Sequence, residues 1–587
     1  MKRSTRWSNV PAGVPLFVEE LTRAVLESGN TKLLGREIPA TLHDSLLARL
    51  DRLGSAKETL QIGSVIGSEF SYELLRAVHS LNDEDLQREL RRLTDADLLY
   101  VRGLPPDATY QFKHALIRDA AYEALLKSRR KELHRLVAQT IDERFPDLKN
   151  AHPEVLARHW TEATETERAI TEWLRAATSA TANNALNEAL ESYQHALTLT
   201  LQLPPSPERQ SRELELRQLI IWTLSVTRGW AAAETVEATE QAAMIAANAD
   251  RLNQIVKFIV SKSGAALTSG ELTAGAKLAD QAVDLAIREG SEVCLAYAYG
   301  ARTLSSHFLG RLVDAENDFA VGSAFFGNPD VRELPAGVVS VLMIGSWNAW
   351  IMGRPDLAVK REAMLIAAAD IAKPYDLVNS WYGSAYLRLC MREYPDAETL
   401  AARALDLCQK HGFPQALGHV ECALGCAKVG INCTNEGIAL IRQGIHSERE
   451  AHAPLYVSHF MTFLAAALGA IGATKEALDA TEQALAAIPD LLVTKPERLR
   501  VHGELLLNQG SLDKAENALR ESIALARSMG AKAWELRTTM SLARLLDQQG
   551  RRDEARAMLA EIYNWFTEGF DTPDLKDAKA LLIELGA

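Results

Sequence analysis

Hydrophobic residues recur three and four positions apart along most of the chain, in segments that stop at a glycine or another turn-forming residue. Small and aliphatic residues follow this spacing between positions 276 and 286 and again between 515 and 526. Such spacing places them on one face of an amphipathic helix. The pattern therefore predicts a long series of helices, with almost no strand pattern outside a short N-terminal stretch.

The breaks between these helices are regularly spaced. A glycine is followed five residues later by a small residue at Gly310/Ala315, Gly353/Ala358, Gly472/Ala477, Gly510/Ala515 and Gly550/Ala555, with weaker copies at Gly270/Gly275, Arg392/Ala397 and Asn432/Gly437. Successive steps are 40, 43, 39, 40, 40, 38 and 40 residues, and earlier copies at Asn184 and Gly229 extend the series to about ten units. Glycine permits the left-handed turn that ends a first helix, and the small residue lets the second helix pack closely. Each unit is therefore predicted to be a helical hairpin.

This repeat resembles the tetratricopeptide repeat, although its period is near 40 residues where the family norm is about 34. The predicted fold is all-α: a right-handed tetratricopeptide-like helical-hairpin superhelix over residues 181–587, of about ten hairpins, preceded by a small winged-helix domain over residues 55–126. A helical linker, residues 127–180, is expected between them. In such arrays each hairpin buries its apolar face against its sequence neighbours.

The winged-helix prediction rests on the order of elements in the N-terminal part. Helices are expected near Lys57 to Val65, Tyr72 to His79 and Asp83 to Ala96, followed by strands at Leu99 to Val101 and Tyr110 to Phe112. The Gly- and Pro-containing loop between the strands, residues 103–107, would be the wing.

Charge and composition limit the classes of partner. The net charge is -13; residues 1–150 hold 23 Lys and Arg against 22 Asp and Glu, which leaves 41 against 55 in the remainder. Duplex-binding surfaces normally carry a basic excess, so the long C-terminal part is not expected to bind nucleic acid. Six cysteines in 587 residues do not make a disulfide scaffold, and with no secretory signal pattern a cytoplasmic location is expected.

Two charge-free stretches, Pro335 to Gly353 and Ala453 to Gly472, keep the repeat register and are expected to be buried repeat helices, not membrane spans.

Several longer runs resemble one family. Gly-Val-Pro-Leu-Phe-Val-Glu-Glu-Leu at residues 13–21, Phe-Lys-His-Ala-Leu-Ile-Arg-Asp-Ala-Ala-Tyr at 112–122 and Trp-Phe-Thr-Glu-Gly-Phe-Asp-Thr at 565–572 are similar to segments of the AAA-like signal-transduction ATPases with numerous domains (STAND), which carry tetratricopeptide repeats, especially the group fused to class III adenylate or guanylate cyclases. The resemblance implies that residues 1–54 are the remnant of the ATPase helical lid, in which Gly13 and Pro15 match a motif that contacts nucleotide. It also implies a sensor arm that relays ligand binding through the winged helix to a nucleotide module.

The catalytic signature of that family is missing. The ATPase requires a Gly-rich loop ending in Gly-Lys-Ser or Gly-Lys-Thr, and no Gly-Lys pair occurs in this sequence. Cyclase chemistry needs paired aspartates on strands, for which there is almost no strand pattern. We therefore expect no catalytic residue, no cofactor and a vestigial role for Gly13 and Pro15, in a truncated or separated C-terminal part. Two alternatives remain: a part that works within an ATPase or cyclase holoenzyme, with the nucleotide module on this or a separate chain, and a DNA-binding transcriptional regulator.

Three groups of residues are candidate sites. Arg88, Arg91 and Arg92 lie on the helix that would recognise DNA, but Asp85, Glu89 and Asp95 share that helix. A Cys and His run, with no CxxC pair, favours core packing over a metal: Cys408, His411, His419, Cys422, Cys426 and Cys433. An aromatic cluster on two successive first helices could bind a protein, peptide or small ligand in the groove or equally anchor the core: Trp347, Asn348, Trp350, Trp381, Tyr382 and Tyr386.

Overall fold

The computed structural model describes residues 42–332, 337–369 and 373–586. Gly13 and Pro15, and most of the segment expected to be an ATPase lid remnant, lie outside these residues. The described chain divides into two compact units, one within Met1–Thr178 plus His195–Pro204 and one within Ser179–Gln194 plus Pro205–Ala587.

The first unit combines helices with one small sheet. Its elements up to the last strand are α1 Leu42–Asp51, α2 Ala56–Ile66, β1 Glu69–Ser71, α3 Tyr72–Val78, α4 Asp83–Asp95, β2 Leu99–Arg102 and β3 Thr109–Phe112. The helices that follow are α5 Ala115–Glu123, α6 Lys127–Arg144, α7 Pro146–Ala151, α8 Pro153–Glu162, α9 Thr166–Ala182 and α10 Leu186–Gln202, and residues of the last two are divided between the units.

The sheet is antiparallel with strand order β1-β3-β2, and Tyr110 of the central strand lies opposite Phe70 on one side and Val101 on the other. Helices and strands occur where the alternating and helical patterns predicted them, and β1 is an additional short strand. Leu60, Leu75 and other apolar side chains of α2 to α4 form the core beneath the sheet. The assignment of this segment as a winged helix, with its domain boundaries, stays a prediction.

The second unit is a continuous series of helices. Its elements are α11 Pro207–Thr227, α12 Ala233–Asn248, α13 Leu252–Thr268, α14 Leu272–Glu289, α15 Glu292–Phe308, α16 Leu312–Ser323, α17 Pro329–Arg332, α18 Gly337–Ile351, α19 Pro355–Ala368, α20 Pro374–Cys390 and α21 Tyr394–His411. The series continues with α22 Pro414–Gly430, α23 Thr434–Glu450, α24 Val457–Ala470, α25 Thr474–Ala487, α26 Lys495–Asn508, α27 Leu512–Met529, α28 Lys532–Gln548, α29 Arg552–Tyr563 and α30 Pro573–Gly586. The predicted all-α superhelix of tetratricopeptide-like hairpins is confirmed.

The predicted turns are confirmed residue by residue. All eight positions from 270 to 550 have positive φ, including the two that are not glycine, Arg392 at 64° and Asn432 at 68°. Each turn joins the first and second helix of one hairpin, and the alanines five residues later, such as Ala315 and Ala358, are fully buried. The local pattern therefore encodes both the break in the helix and the contact that folds the hairpin.

Hairpins that are far apart in sequence also touch. Three contacts each join residues 184 or 185 positions apart: the Trp230 amide donates to Gln415 Oε1 over 3.0 Å, the Leu492 amide donates to the Phe308 carbonyl over 3.1 Å, and the rings of Trp350 and Trp534 meet with centroids 4.8 Å apart. With a repeat near 40 residues, one superhelical turn holds between four and five hairpins. Besides the packing between sequence neighbours that the pattern predicts, this superhelix is thus wound tightly enough for successive turns to pack on each other.

The two charge-free stretches form ordinary repeat helices as far as they are described. They correspond to α18 and α24, whose side chains are mostly buried against other helices. Among the described residues, no helix has both the length and the apolar character needed to cross a lipid bilayer.

Candidate functional site

A partly open cavity of about 170 Å³, here called the inner cavity, lies between the first helices of five consecutive hairpins. Helices α13, α15, α18, α20 and α22 supply most of its wall, and Trp230 and Tyr456 complete it from connecting segments. The repeat positions these residues, since the first helix of every hairpin faces the same side of the array.

The wall is mainly apolar. Aliphatic and aromatic side chains make up most of it, among them Leu267, Leu304, Phe308, Val341, Ile344 and Leu455. A closed apolar cavity of about 150 Å³ holds one benzene molecule. The inner cavity therefore has room for one aromatic or branched aliphatic group, and burying such a group contributes about 1.5–3 kcal/mol.

Two polar groups in this wall lack partners. The Tyr382 hydroxyl and Nε2 of His419 are buried, and neither has a hydrogen-bond partner among the described residues. Their rings lie 4.3 Å apart between centroids, with the Tyr456 ring 5.5 Å from that of His419. Burial raises the pKa of Tyr382 well above its ordinary value, so its hydroxyl keeps its proton and is free to donate. An unsatisfied buried polar group costs about 1–3 kcal/mol, which a ligand atom of matching character would recover.

A buried carboxyl group orients the histidine. His419 Nδ1 lies 3.1 Å from Glu448 Oε1, and Glu448 is completely buried. Burial raises the pKa of Glu448 above its ordinary value, although its hydrogen bond with His419 acts in the opposite direction. The imidazole is thus held through one nitrogen, while the other has no hydrogen-bond partner among the described residues.

Glycines bring this pair together. A Cβ on Gly418 would lie 2.7 Å from Glu448 Cγ, and one on Gly437 would lie 2.5 Å from the Gly425 carbonyl oxygen. A Cβ on Gly444 would lie 2.5 Å from the Gly418 carbonyl oxygen. No side chain fits at these positions, so the backbones of α22 and α23 approach closely and place Glu448 beside the cavity wall.

The aromatic cluster predicted as a ligand site is mostly built into the core. Trp347 donates from Nε1 to the Gly383 carbonyl over 2.9 Å, Asn348 donates to the Leu312 carbonyl over 3.0 Å, and Tyr386 Oη lies 2.6 Å from His459 Nε2. Trp350 packs on Trp534, and the guanidinium of Arg403 lies over the ring of half-buried Trp381, 4.5 Å from its centroid. Of the six residues only Tyr382 lines the inner cavity. A ligand role for this cluster stays a prediction.

The arginines of the proposed DNA-recognition helix are engaged locally. Arg88 pairs with Asp85, Arg92 pairs with Glu89 over 3.0 Å, and Arg91 donates to the Gln87 carbonyl over 3.3 Å. The acidic neighbours noted in the sequence thus compensate the positive charge of Arg88 and Arg92.

The Cys and His run is distributed through packed helices. Cys408, Cys422 and Cys426 are buried and Cys433 is exposed. In the residues that the structure describes, no group of three or more His, Cys, Asp or Glu side chains is arranged to hold a metal ion. The member of the run that reaches the inner cavity is His419.

Comparison with known proteins supports the repeat assignment. Residues 384–585 match the family described as the MalT-like TPR region. An uncharacterized protein of Rhizobium meliloti (strain 1021) is 27% identical over 212 residues, which cover 35% of this chain and 21% of that protein. The chain thus matches only about a fifth of its relative's length.

Three solved structures are similar in their helical repeats. A Rap protein complexed with Competence and Sporulation Factor is 12% identical, with a TM-score of 0.47, covering 62% of this chain and 98% of that one. NprR in complex with its cognate peptide NprX is 13% identical, with a TM-score of 0.35, covering 49% and 81%. A STAND protein with a tetratricopeptide repeat sensor from Pyrococcus horikoshii is 13% identical, with a TM-score of 0.29, covering 99% and 72%. With TM-scores below 0.5, these likenesses carry no inference about ligands. The hairpins and the family match together show that this chain contains a tetratricopeptide-type repeat region.

Proposed function

We propose that the chain is a non-catalytic regulatory sensor whose repeat region binds a peptide or protein partner through the inner cavity. The observation that carries this proposal is an apolar space walled by five hairpins, with the Tyr382 hydroxyl and His419 Nε2 buried and unpaired beside it. Binding sites are typically apolar pockets with a few convergent polar groups. A ligand group that is apolar and carries, or lies next to, a hydrogen-bonding atom would match both the apolar wall and the two unpaired polar atoms.

A peptide side chain suits the space better than a compact metabolite. The cavity holds about one aromatic or aliphatic group, and it is partly open, so the remainder of a ligand would stay outside it. The first helices beyond the cavity would contact that remainder. A single buried anchor surrounded by weaker contacts is also how many interfaces distribute their binding energy.

The runs shared with STAND signalling ATPases support a place for this sensor. In this proposal, binding on the repeat is relayed through the winged-helix segment, residues 55–126, to a nucleotide-binding module on this or another chain. A cyclase partner and a cytoplasmic location belong to the same proposal. They rest on the sequence resemblance, and the fold by itself does not specify them.

A selection from a displayed library of random decapeptides against the full chain would test the proposal. Enriched peptides should share an aromatic or aliphatic anchor. The Ser340→Phe variant should weaken their binding at least about tenfold, because Ser340 lines the cavity and a phenyl ring would fill it. Ala274→Phe on the exposed side of α14 is the matched control and should leave binding unchanged.

Both variants should keep the wild-type melting temperature within a few degrees, since neither position is fully buried. If no peptide is enriched, or if Ser340→Phe and Ala274→Phe have the same effect, the inner cavity is not the binding site. Calorimetric titration of each enriched peptide gives the affinities that decide this.

A further inference from the structure

The inner cavity lies where one superhelical turn meets the next. Its five wall helices, α13, α15, α18, α20 and α22, belong to consecutive hairpins that together complete about one turn. The two ends of this turn meet beside the cavity, where Trp230 contacts Gln415, 185 positions later. The boundary between the turns is here called the seam, formed by Trp230, Thr273 and Phe308 on one side and by Gln415, Asp490 and Leu492 on the other.

Hydrogen bonds cross the seam at three points. The Trp230 amide donates to Gln415 Oε1 over 3.0 Å, and the Leu492 amide donates to the Phe308 carbonyl over 3.1 Å. The third bond, 2.8 Å long, joins the hydroxyl of Thr273 to the carboxylate of Asp490. The residues of this third bond are exposed and do not line the inner cavity.

The other two bonds of the seam lie in the cavity wall itself. Trp230, Phe308 and Gln415 all line the inner cavity. Tyr456, from the segment before α24, also lines it and places its ring 6.1 Å from that of Phe308 between centroids. A group that fills the cavity therefore contacts residues on both sides of the seam at once.

The seam can open without unfolding a helix. Trp230 lies in the segment between α11 and α12, and Leu492 lies in the segment between α25 and α26. Separating the two turns at these segments leaves the packing within each hairpin, such as that of buried Ala315, in place. Local opening of this kind requires less free energy than global unfolding, because fewer contacts are lost.

We propose that a group bound in the inner cavity holds the seam closed, so that binding is linked to the winding of the superhelix. The proposal rests on the function proposed above and adds the regulation of that site. A ligand shifts an equilibrium only through its difference in affinity for the two states. When the seam is open, Trp230 and Gln415 are apart and the ligand loses its contacts on one side, so the closed state binds it more tightly.

Hydrogen exchange resolved to single amides tests this coupling. The Trp230 and Leu492 amides are bonded across the seam and exchange when it opens. The probe is uncharged acetyl-Phe-amide, because none of the described residues that line the cavity is Lys, Arg, Asp or Glu. At about ten times its Kd both amides should exchange about tenfold more slowly, since a ligand of the closed state suppresses opening in proportion to its occupancy. The Ser511 amide, bonded to Leu506 within one hairpin, should keep its rate.

A variant tests the seam without any ligand. Thr273→Val removes the exposed bond of the seam and leaves the inner cavity untouched. Exchange of the Trp230 and Leu492 amides should rise together, by about twofold to tenfold for one lost hydrogen bond. Thr399→Val is the matched control, because this exposed hydroxyl bonds to the Pro395 carbonyl of its own helix, and it should leave both rates unchanged.

The outcomes separate the coupling from the proposed function. If acetyl-Phe-amide binds, Ser340→Phe abolishes its binding and exchange across the seam is unchanged, the function stands and the coupling is overturned. A rise at Leu492 alone in Thr273→Val also overturns the coupling, because the seam would then not open as one unit. If neither acetyl-Phe-amide nor an enriched peptide binds, the proposed function fails, and the coupling fails with it.

Discussion

Replacing Gly437 by alanine tests whether backbone approach between α22 and α23 shapes the inner cavity. The added Cβ would lie 2.5 Å from the Gly425 carbonyl oxygen and 2.9 Å from the Val429 amide nitrogen. Both are backbone atoms, so no change of side-chain rotamer can relieve the contact. The helices must separate, and with them His419 and Glu448.

The expected loss of stability follows from two opposing contributions. Alanine is favoured over glycine within a helix by about 1 kcal/mol. Overpacking a close contact typically costs about 1–3 kcal/mol, and a contact with rigid backbone belongs at the upper end of that range. We therefore expect Gly437→Ala to destabilise the repeat region by about 1–2 kcal/mol.

Hydrogen exchange detected by mass spectrometry locates the effect, and urea unfolding measures its size. Peptides from α22 and α23 should lose protection, whereas those from the first unit should not. Gly264→Ala is the control, because its Cβ would meet the Trp230 ring at an ordinary 3.6 Å, and it should stabilise the chain by about 0.5–1 kcal/mol. A Gly437→Ala variant as stable as wild type, with unchanged protection in both helices, would refute the reasoning.

Two further predictions concern packing between turns and buried histidine. Trp534→Phe should lower the free energy of unfolding by about 1–3 kcal/mol, because the Val493 carbonyl loses its indole donor. Amide hydrogen exchange should rise in α18 as well as in α28, since the ring of Trp534 contacts that of Trp350. Trp381→Phe is the control: this site is half-buried with no indole hydrogen bond described, so stability should change little. Increased exchange in α28 alone would argue against contact between turns. Burial lowers the pKa of His307 to about 4, so only the unfolded chain takes up its proton between about pH 6.5 and pH 4, and stability is lost as the pH falls through that window. From pH 7 to pH 5, the unfolding free energy of His307→Gln should therefore fall by about 2 kcal/mol less than that of the wild type. An identical fall in both proteins would contradict the assignment.

The sequence predicts features that depend on neighbouring residues. The turn at Gly353 and the small residue Ala358 are separated by five positions, so their relation is visible as a repeated pattern, and the same pattern located even the non-glycine turn at Arg392. Helix boundaries followed from the same signal. Local preference and hydrophobic spacing determine both.

The site depends on residues that are distant in sequence, and there the prediction is weaker. Tyr382 was among the expected ligand residues and lines the inner cavity. Trp350 instead packs against Trp534, which lies 184 positions away and cannot be identified from a local sequence pattern. Glu448 was missed altogether, since it lies 29 residues from His419. The seven-residue spacing of Gly418 and Gly425, matched by Gly437 and Gly444, is the signal that would have indicated two helices in close contact.

The spacing of 184 residues between contacting hairpins restricts how this region can change in evolution. In an open array, one hairpin can be gained or lost by recombination because only the two flanking units must adapt. Here, deleting about 40 residues between positions 350 and 534 would bring a different side chain opposite Trp350 and would displace the other contacts that bridge the deletion. The number of hairpins in each turn is therefore expected to be fixed, with insertions and deletions tolerated only in the turns and at the ends.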